Sequence, residues 1–414
     1  MTATKIAFWG SAGLLVYTHL GYAGVLAALA RARRRGAGAG GGAGEGVGVA
    51  GECVGVAGGG VGVAGEGVGG AGEGVGAAGG DDALPSVSVI VAAYAEQEVI
   101  AARVANLRAL DYPAGKLEVI VSCDGSPDAT AARARAAGAD LVLELPRGGK
   151  IRAQDAAVQR AKGEVVAFSD ANVQWEPEAL TALVAPFADP GVGYVCGDVI
   201  FVNDSGTNQE GLYWRYEMAL RRLESDLRSV TGGNGAIYAT RRESYLVVDP
   251  IMGHDLSLPF NLVKRGWRAL YAPDARAREK MVPTIEGEFA RKRRMMGHGW
   301  PIMLRGGMLS PRGYDPVYAL EIFSHRVLRY CSPFLHLVAL ATNVALIGRR
   351  PVYVVALSAQ LALLLAAGLA ARVPARPLLV ARYYVMTTAS LAAGLWDWLA
   401  HGTGAGWEPA AGTR

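Results

Sequence analysis

Apolar runs long enough to cross a lipid bilayer lie near both ends of this 414-residue chain. The first covers residues 6–30 and is followed by four arginines within positions 31–35. About 20 apolar residues span the hydrocarbon core, and flanking basic residues favour the cytoplasmic side. We therefore expect residues 1–35 to form a transmembrane helix with a basic flank in the cell membrane or inner membrane. Its N-terminus would lie on the side away from the cytoplasm.

Three further apolar runs follow within the C-terminal region 331–401, at positions 332–347, 352–371 and 378–399. They predict about three more transmembrane helices, followed by a tail at 402–414. Residues 317–330 alternate apolar and charged side chains, which predicts an amphipathic helix at the membrane surface, where His325 and Arg326 serve the interface. Three C-terminal crossings place Arg349 and Arg350 outside, although basic residues beside a membrane helix usually lie on the cytoplasmic side.

The rest of the chain divides into a glycine-rich stretch and a folded domain. Positions 36–83 repeat Gly, Ala, Val and Glu, and offer too little side chain to bury, so we expect a disordered linker. The formal net charge of +4 comes mostly from arginines beside the apolar runs, which indicates membrane lipids and not nucleic acid as partners. The four cysteines have no CxxC spacing, so they suggest neither a zinc site nor a disulfide framework.

The region 84–316 has the pattern of an α/β domain. Short apolar runs at 87–92, 117–122, 140–145 and 165–169 alternate with helix-like segments, which predicts a mostly parallel sheet covered on both faces. No glycine-rich turn follows the first strand, and the GGK at 148–150 lacks the upstream glycine spacing of a P-loop. The pattern therefore argues against a dinucleotide-binding domain and against a P-loop domain.

Acidic side chains follow two of the predicted strands. Asp124 follows the second strand, and Asp170 and Asn172 follow the fourth. Ligands of parallel sheets bind at the carboxyl ends of the strands, where one acid can contact a nucleoside and the other a divalent cation on its diphosphate. Mg²⁺ or Mn²⁺ suits such oxygen ligands better than zinc. Each acid taken alone is also explained by a turn or a helix cap.

Seven ordered motifs, which extend from residue 87 toward the C-terminus, resemble those of membrane-bound family 2 glycosyltransferases, relatives of the cellulose and poly-N-acetylglucosamine synthases. They are VSVIVAAYAEQE, VIVSCDGSPDAT, GGKIRAQDAAVQRAKGEVVAFSDAN, TGGNGAIYATRRESY, GHDLSLPFNLVKRGWRALYAPDA, EFARKRRMMGHGW and FSHRVLRYCSPF. The resemblance implies a Rossmann-like GT-A fold. It also implies metal-dependent hexosyl transfer from a nucleotide sugar, in polysaccharide biosynthesis for the cell envelope.

The resemblance assigns a set of residues to the donor. The implied donor contacts are Ala92, Ala93, Tyr94, Glu96, Asp124, Lys150, Asp170, Arg291 and Arg294. Asp170 and Asn172 fall on the metal-binding Asp-x-Asp motif, where Asn172 keeps an oxygen ligand but loses a charge. Met295 stands where the synthases carry the tryptophan that ends Gln-x-x-Arg-Trp, so long-chain processivity is not expected.

The resemblance also implies a base and an acceptor site. Asp255 matches the catalytic base, which removes the proton from the attacking acceptor hydroxyl. Gly232, Gly233 and Asn234 match the loop at the acceptor pocket, and His254 stands beside the base where the family often has glutamate. By residue type alone, Asp255 is also explained as a helix cap and the GGN sequence as an ordinary turn.

These features predict an inverting glycosyltransferase whose catalytic domain is cytoplasmic. It would move a sugar from a nucleoside diphosphate donor, most simply a UDP-sugar, to a lipid-linked or polysaccharide acceptor at the membrane. Partners in polysaccharide synthesis or export would fit this role. The alternative is a non-catalytic subunit that binds nucleotide sugar and organises a synthase complex, which the departures from the family motifs favour. Retention of Asp124, Asp170 and Asp255 together favours the enzyme, because a scaffold does not need three such acids.

Overall fold

The first apolar segment forms one long helix with a π-helical turn in its middle. The computed structural model describes residues 2–39, 84–202, 210–282 and 284–406. The helix consists of α1 (Thr2–Val16), the π-helical turn Tyr17–Gly21 and α2 (Tyr22–Ala39). Most of the predicted linker, from residue 40 onward, and the tail beyond residue 406 lie outside the described residues.

The central domain is built on an eight-stranded sheet with the spatial order β3-β2-β1-β4-β7-β6-β8-β5. The strands are β1 (Val87–Ala93), β2 (Leu117–Asp124), β3 (Leu141–Leu145), β4 (Val165–Asp170), β5 (Gln174–Trp175), β6 (Val192–Val202), β7 (Tyr238–Arg241) and β8 (Arg268–Lys280). The first four strands run parallel, whereas β7 is antiparallel to β4 and β6. The mostly parallel α/β sheet expected from the sequence is confirmed.

The helices of this domain pack on the sheet or on one another. They are α3 (Ile100–Arg108), α4 (Thr130–Ala136), α5 (Lys150–Val158), α6 (Ala179–Val184), α7 (Glu210–Leu227), α8 (His254–Val263) and α9 (Ile285–Leu304). Along β1, Val89 and Val91 belong to one apolar cluster, while Ile90 between them belongs to another. Alternate residues of a strand point to opposite faces, so an unbroken apolar run requires cover on both sides. The carboxyl edge is then where polar side chains can meet a ligand.

The C-terminal region is helical. It contains α10 (Pro316–Glu321), the π-helical turn Ile322–Val327, α11 (Leu328–Leu346), α12 (Pro351–Leu369) and α13 (Arg376–His401). Within the described ranges, three helices are long and apolar enough to cross a membrane, namely Thr2–Arg33, Pro351–Leu369 and Arg376–His401. The predicted span 332–347 forms α11, which is not among the three because Arg329, His336 and Asn343 make it more polar. By length and composition, two C-terminal helices are candidates where the sequence predicted about three.

The prediction that His325 serves the membrane interface is wrong. His325 is buried, with Nδ1 2.6 Å from Glu224 Oε1 and Nε2 3.1 Å from Glu217 Oε2. Arg326 was predicted to serve the same interface, but it donates from Nε to Thr231 Oγ1 at 3.0 Å. The alternation of apolar and charged residues predicted an interfacial helix. The segment instead packs polar side chains against the acidic residues of α7.

Candidate active site

The ends of β1, β2 and β4 bring several predicted donor residues to one edge of the sheet. Ala92 lies opposite Asp170 in the parallel register, and Ala93 lies opposite Cys123, the residue before Asp124. Both alanines are fully buried, and neither has a side chain beyond Cβ to block the edge. The two acids therefore flank the end of β1, one on each side.

Asp124 is buried and receives hydrogen bonds from the loop that follows β3. Its Oδ1 accepts from the backbone N–H groups of Gly148 at 2.6 Å and Gly149 at 3.0 Å, and Arg147 Nη1 donates to Oδ2 at 3.0 Å. The Arg147 guanidinium also lies 3.3 Å from the centre of the Tyr94 ring, a cation–π contact. Tyr94 and Asp124, both predicted at the nucleoside, thus share one arginine.

Lys150 and Asp170 form an ion pair through Lys150 Nζ and Asp170 Oδ1. Lys150 is the first residue of α5, and Asp170 is the last residue of β4. Burial works to lower the pKa of Lys150, but the charge of Asp170 and the hydrogen bond to it raise this pKa above its ordinary value. The ammonium group therefore stays protonated at the carboxyl edge of the sheet.

Glu279 of β8 adds a second carboxylate at this edge. It forms a hydrogen bond with the Asn172 side chain, and it is close enough to Asp170 for the two charges to repel each other. Burial and then this repulsion raise the pKa of Glu279 to about 7. Asp170, Asn172 and Glu279 offer the hard oxygen atoms that Mg²⁺ and Mn²⁺ prefer. Among the described residues, no three His, Cys, Asp or Glu side chains form a metal site by themselves, so the Asn172 oxygen matters.

A cavity of about 330 Å³ adjoins this edge, and its polar wall contains Asp255 and Lys150. Asp255 lies in the first turn of α8. Burial raises the pKa of Asp255 above its ordinary range, although the charge of Lys150 opposes the shift. A carboxylate with a raised pKa is suited to accept a proton near neutral pH. Asp255 is thus a carboxyl group that faces an open volume.

Gly232 and Gly233 line the same cavity. The Gly233 N–H donates to the Asp255 carbonyl at 2.6 Å. A Cβ atom on Gly232 would lie 2.5 Å from Arg326 Nη2, and a Cβ atom on Gly233 would collide with the Tyr194 hydroxyl. A larger residue is therefore excluded at Gly233 by the buried Tyr194, whereas at Gly232 the end of the Arg326 side chain would have to move.

Two other predicted site residues make contacts within the protein. Asn234 donates from Nδ2 to the Gly197 carbonyl at 2.7 Å and accepts at Oδ1 from the Ile237 N–H at 2.9 Å, so its amide shapes the turn before β7. Glu96 is buried, and its backbone N–H donates to Thr130 Oγ1 at 2.9 Å. Neither residue lines the cavity.

His254 is placed behind the cavity and does not line it. Its Nδ1 lies 3.1 Å from the Tyr238 hydroxyl and its Nε2 lies 3.2 Å from the Tyr245 hydroxyl. Burial lowers the pKa of His254 to about 3, so the ring is neutral. Tyr245 in turn donates to Asp155 Oδ1 at 2.5 Å. The ring fixes the start of α8 and does not reach the predicted acceptor site.

The basic run of α9 is only partly directed at the site. Arg291 donates to both carboxyl oxygens of Glu288, each at 2.8 Å, and its charge favours the ionised form of Glu279. Arg294 is exposed and does not line the cavity. The residues of α9 that line it include Met295, Met296 and His298. Of the two arginines predicted at the diphosphate, the structure brings Arg291 to the acids.

Two charged residues of this region were missed by the sequence reasoning. Glu279 lies in a strand of alternating charged and small residues, which gives no local signal of a site. Arg326 lies in a segment whose periodicity indicates an interfacial helix, yet it lines the cavity. The only sequence signal for Arg326 was its place in the FSHRVLRYCSPF motif.

Comparison with known proteins agrees with this arrangement. The family model "Glycosyl transferase family 2" matches residues 88–246. An N-acetylglucosaminyltransferase of Rhizobium leguminosarum bv. trifolii is 33% identical over 133 residues, covering 30% of this chain and 72% of that protein. The N-acetylglucosaminyltransferase of Rhizobium sp. (strain N33) is 28% identical and covers 51% of this chain. The beta-monoglucosyldiacylglycerol synthase of Synechocystis sp. is 26% identical and covers 60%. The chain spans about half the length of these last two relatives, 52% and 55%.

A solved structure extends the likeness beyond the matched segment. The mannosyltransferase of Pyrobaculum calidifontis, solved with GDP-Man and Mn²⁺, superposes with a TM-score of 0.60 and 25% sequence identity. The superposition covers 77% of this chain and 88% of that one. It confirms the GT-A fold that the sequence motifs implied. With the strand ends, the cavity and these relatives in agreement, the chain belongs to glycosyl transferase family 2.

Proposed function

We propose that the chain is an inverting glycosyltransferase that moves a sugar from a nucleoside diphosphate donor to an acceptor at the membrane. The observation that carries this proposal is that Lys150 and Asp255 line one cavity at the carboxyl edge of the sheet, with Asp170 paired to Lys150. Asp124, on the other side of β1, is placed to receive the nucleoside, which we expect to be uridine. No single residue of this set is diagnostic, but their convergence matches the needs of glycosyl transfer.

The positions of Asp255 and Lys150 define the course of the proposed reaction. The acceptor hydroxyl attacks the anomeric carbon while the bond from that carbon to the diphosphate oxygen breaks. The hydroxyl proton passes to the Asp255 carboxylate, and the diphosphate leaves on the side of Lys150. One displacement inverts the anomeric configuration. A base of raised pKa and a cation near the leaving group stabilise the two charges that develop.

Asp170, Asn172 and Glu279 would hold a Mg²⁺ or Mn²⁺ ion. When bound, such an ion neutralises charge on the donor diphosphate. The fit rests on the three oxygen-bearing side chains that the structure brings together. Asn172 supplies no charge, so Glu279 restores the second negative charge that an Asp-x-Asp motif would provide. The Mn²⁺ in the related mannosyltransferase structure supports this assignment.

The proposed acceptor is a lipid-linked sugar, a glycolipid precursor or a polysaccharide end. Three described helices have the length and apolar character to cross a membrane, and helix α13, one of them, packs against α9 at the cavity wall. An acceptor held at the membrane would thus meet the base without leaving the bilayer surface. The arginines at 31–35 favour a cytoplasmic catalytic domain.

The experiment that tests the proposal uses the purified full-length chain in detergent with a panel of UDP-, GDP- and dTDP-sugars. We expect release of UDP that depends on Mg²⁺ or Mn²⁺. Asp255→Asn should lower sugar transfer by about 10²–10⁴-fold, the usual contribution of a general base. Asp274→Asn is the matched control, because Asp274 is an exposed residue of β8. Absence of release from every donor would instead favour the non-catalytic subunit, whereas release that does not depend on a cation would contradict the metal assignment.

A further inference from the structure

The cavity has two cationic ends that lie along one short piece of backbone. At one end, a Cβ atom on Gly235 would lie 3.5 Å from Lys150 Nζ and 3.6 Å from Asp170 Oδ2. At the other end, a Cβ atom on Gly232 would lie 2.5 Å from Arg326 Nη2. Three residues of backbone therefore separate the donor end of the cavity from Arg326.

Asp255 lies between these two ends. Its carbonyl accepts from the Gly233 N–H at 2.6 Å, in the middle of the same backbone piece. The charges of both Lys150 and Arg326 act on the Asp255 carboxyl, with Lys150 the stronger of the two. A group bound to Arg326 therefore reaches Asp255 from the side opposite to the donor.

Arg326 is held in place by a hydrogen bond to a hydroxyl group and not by an ion pair with a carboxylate of the described residues. Its Nε donates to Thr231 Oγ1 at 3.0 Å, and the Thr231 N–H and hydroxyl both bond Glu224 Oε2 at 3.1 Å. Glu224 is completely buried, so this support is rigid. In the described part of the chain Arg326 forms no ion pair, whereas Lys150 is paired with Asp170. The outer nitrogen atoms of the guanidinium are thus available to a ligand in the cavity.

The remaining wall of the cavity is mostly apolar, with His298 as a further polar residue. It includes Ile251, Leu256, Met296, Ile302 and Tyr330. A Cβ atom on Gly394 of α13 would lie 2.5 Å from Met296 Cβ, so this wall is in direct contact with a candidate membrane helix. Such a cavity suits an amphipathic molecule, with a polar group at Arg326 and an apolar part against the wall.

We propose that Arg326 binds the phosphate of an anionic membrane lipid and thereby holds a neighbouring hydroxyl of that lipid at Asp255. The inference rests on the proposed function, because it presupposes sugar transfer at Asp255. A guanidinium offers a planar fork of N–H donors that matches a phosphate. The substrate class is a lipid that carries a phosphate next to a free hydroxyl, which distinguishes it from a neutral diacylglycerol acceptor.

Phosphatidylglycerol and diacylglycerol, at equal mole fraction in phosphatidylcholine nanodiscs, are matched probes with and without the phosphate. Transfer of labelled sugar to each is measured with the full chain and its best donor. We expect a lower KM for phosphatidylglycerol. Arg326→Gln should raise that KM by about tenfold to hundredfold, the effect of losing one hydrogen bond to a charged group, and change the KM values for diacylglycerol and donor less than about twofold.

Two further variants sharpen the result. Arg326→Lys keeps the charge without the fork and should give an intermediate KM. Arg268→Gln removes an exposed arginine of β8 that pairs with Asp189, and it should match the unaltered chain. Acceptor-independent hydrolysis of the donor shows that each variant is folded.

The outcomes separate the inference from the proposed function. A higher donor KM in Arg326→Gln would mean that Arg326 binds the donor diphosphate, and equal KM values for the two lipids would mean that no phosphate is recognised. Either result overturns the inference alone. Failure of the unaltered chain to release nucleoside diphosphate from any donor overturns the proposed function itself.

Discussion

Asp255 is partly buried at the start of helix α8, and its pKa sets a pH dependence. Burial raises this pKa, so the carboxylate form needed for proton removal is lost as the pH falls through a value above the ordinary aspartate range. We expect kcat/KM for sugar transfer to fall on the acid side at a pH above the ordinary aspartate range, while Asp274→Asn leaves the profile unchanged. The measurement is transfer rate against pH at saturating cation. An acid limb at the ordinary aspartate value would contradict the assignment.

The carboxylate of Glu279 should contribute to the affinity of the site for a metal ion. Glu279→Gln removes the negative charge that β8 supplies beside Asp170 and Asn172. The number of charged ligands is a main determinant of a site's affinity for hard cations. We expect Mn²⁺ affinity, measured by titration calorimetry with UDP present, to fall about tenfold or more. Glu178→Gln, at an exposed position before α6, is the control. Equal affinity in the two variants would remove Glu279 from the site.

Residues at strand ends were accessible to sequence reasoning, whereas residues brought in from afar were not. Asp124 and Asp170 each follow a recognisable apolar run, and parallel strands necessarily end at one edge. Glu279 and Arg326 reach the site only through the pairing of β8 and the packing of the π-helical turn. His254 was predicted at the acceptor from its place beside Asp255, and no local pattern revealed that Tyr238 and Tyr245 enclose its ring.

At the scale of elements, the contact of α9 with α13 depends on a glycine. Gly394→Ala would place a Cβ atom 2.5 Å from Met296 Cβ and 2.8 Å from the Arg293 carbonyl, so the helices must separate. We expect a loss of stability of about 1–3 kcal/mol, seen as a lower Tm in detergent. Gly368→Ala in α12 is the control, because no atom lies within 4 Å of its added Cβ. An unchanged Tm in Gly394→Ala would contradict the packing.

Helix α10 carries a buried carboxyl that gives a second stability prediction. Both oxygens of Glu321 lack hydrogen-bond partners among the described residues. Burial, and then the charge of Glu224, raises the pKa of Glu321 well above its ordinary value. The folded protein then keeps a proton that the unfolded chain loses above about pH 4.3, so stability declines as the pH rises, by up to about 1.4 kcal/mol per pH unit.

Glu321→Gln should therefore raise the Tm at pH 8 and leave it nearly unchanged at pH 5. Glu243→Gln, at an exposed position, should show no such difference between the two pH values. Thermal unfolding in detergent at both values checks this. A stabilisation that is equal at pH 5 and pH 8 would show that Glu321 carries no shifted proton.

The first four strands were predictable because their apolar runs are local, and each observed strand begins within one residue of its prediction and ends within two. The strands β6 and β8 were not predicted. β8 alternates small and charged residues, and it becomes a strand only through pairing with β6 across two irregularities of register. Its stability is a tertiary effect that no local pattern reveals.

At the scale of the whole molecule, α11 lies beside α1 and runs in the opposite direction. Phe8, in the first half of α1, packs with Leu346 at the end of α11, and the Tyr17 hydroxyl lies 2.8 Å from Ser324 Oγ, just before α11 begins. A membrane crossing by α1 therefore carries α11 across as well. After α13, Thr403 Oγ1 donates to the Gly297 carbonyl at 2.7 Å, so the chain has returned to the catalytic domain.

We therefore expect Arg349 to lie outside and both Arg31 and Gly402 to lie inside, which requires that only one of α12 and α13 crosses the membrane. Single cysteines at these three positions, in a chain without Cys53, Cys123, Cys196 and Cys331, can be labelled with a membrane-impermeant maleimide. Arg349→Cys should react in intact spheroplasts, and Arg31→Cys and Gly402→Cys only after permeabilisation. Protection of all three positions would show that α11 does not cross, despite its packing on α1.

The hydrogen bond of 2.7 Å from the Tyr22 hydroxyl to Glu224 Oε1 has a practical consequence. Tyr22 and Leu26 pack with Leu220 and Leu227 of α7, so the anchor contributes to the interior of the enzyme and not only to its attachment. A recombinant fragment that starts at residue 84 would expose this apolar surface of α7 and leave Glu224 without the hydrogen bond from Tyr22. Laboratories that shorten the gene to obtain a water-soluble catalyst should therefore keep the first helix.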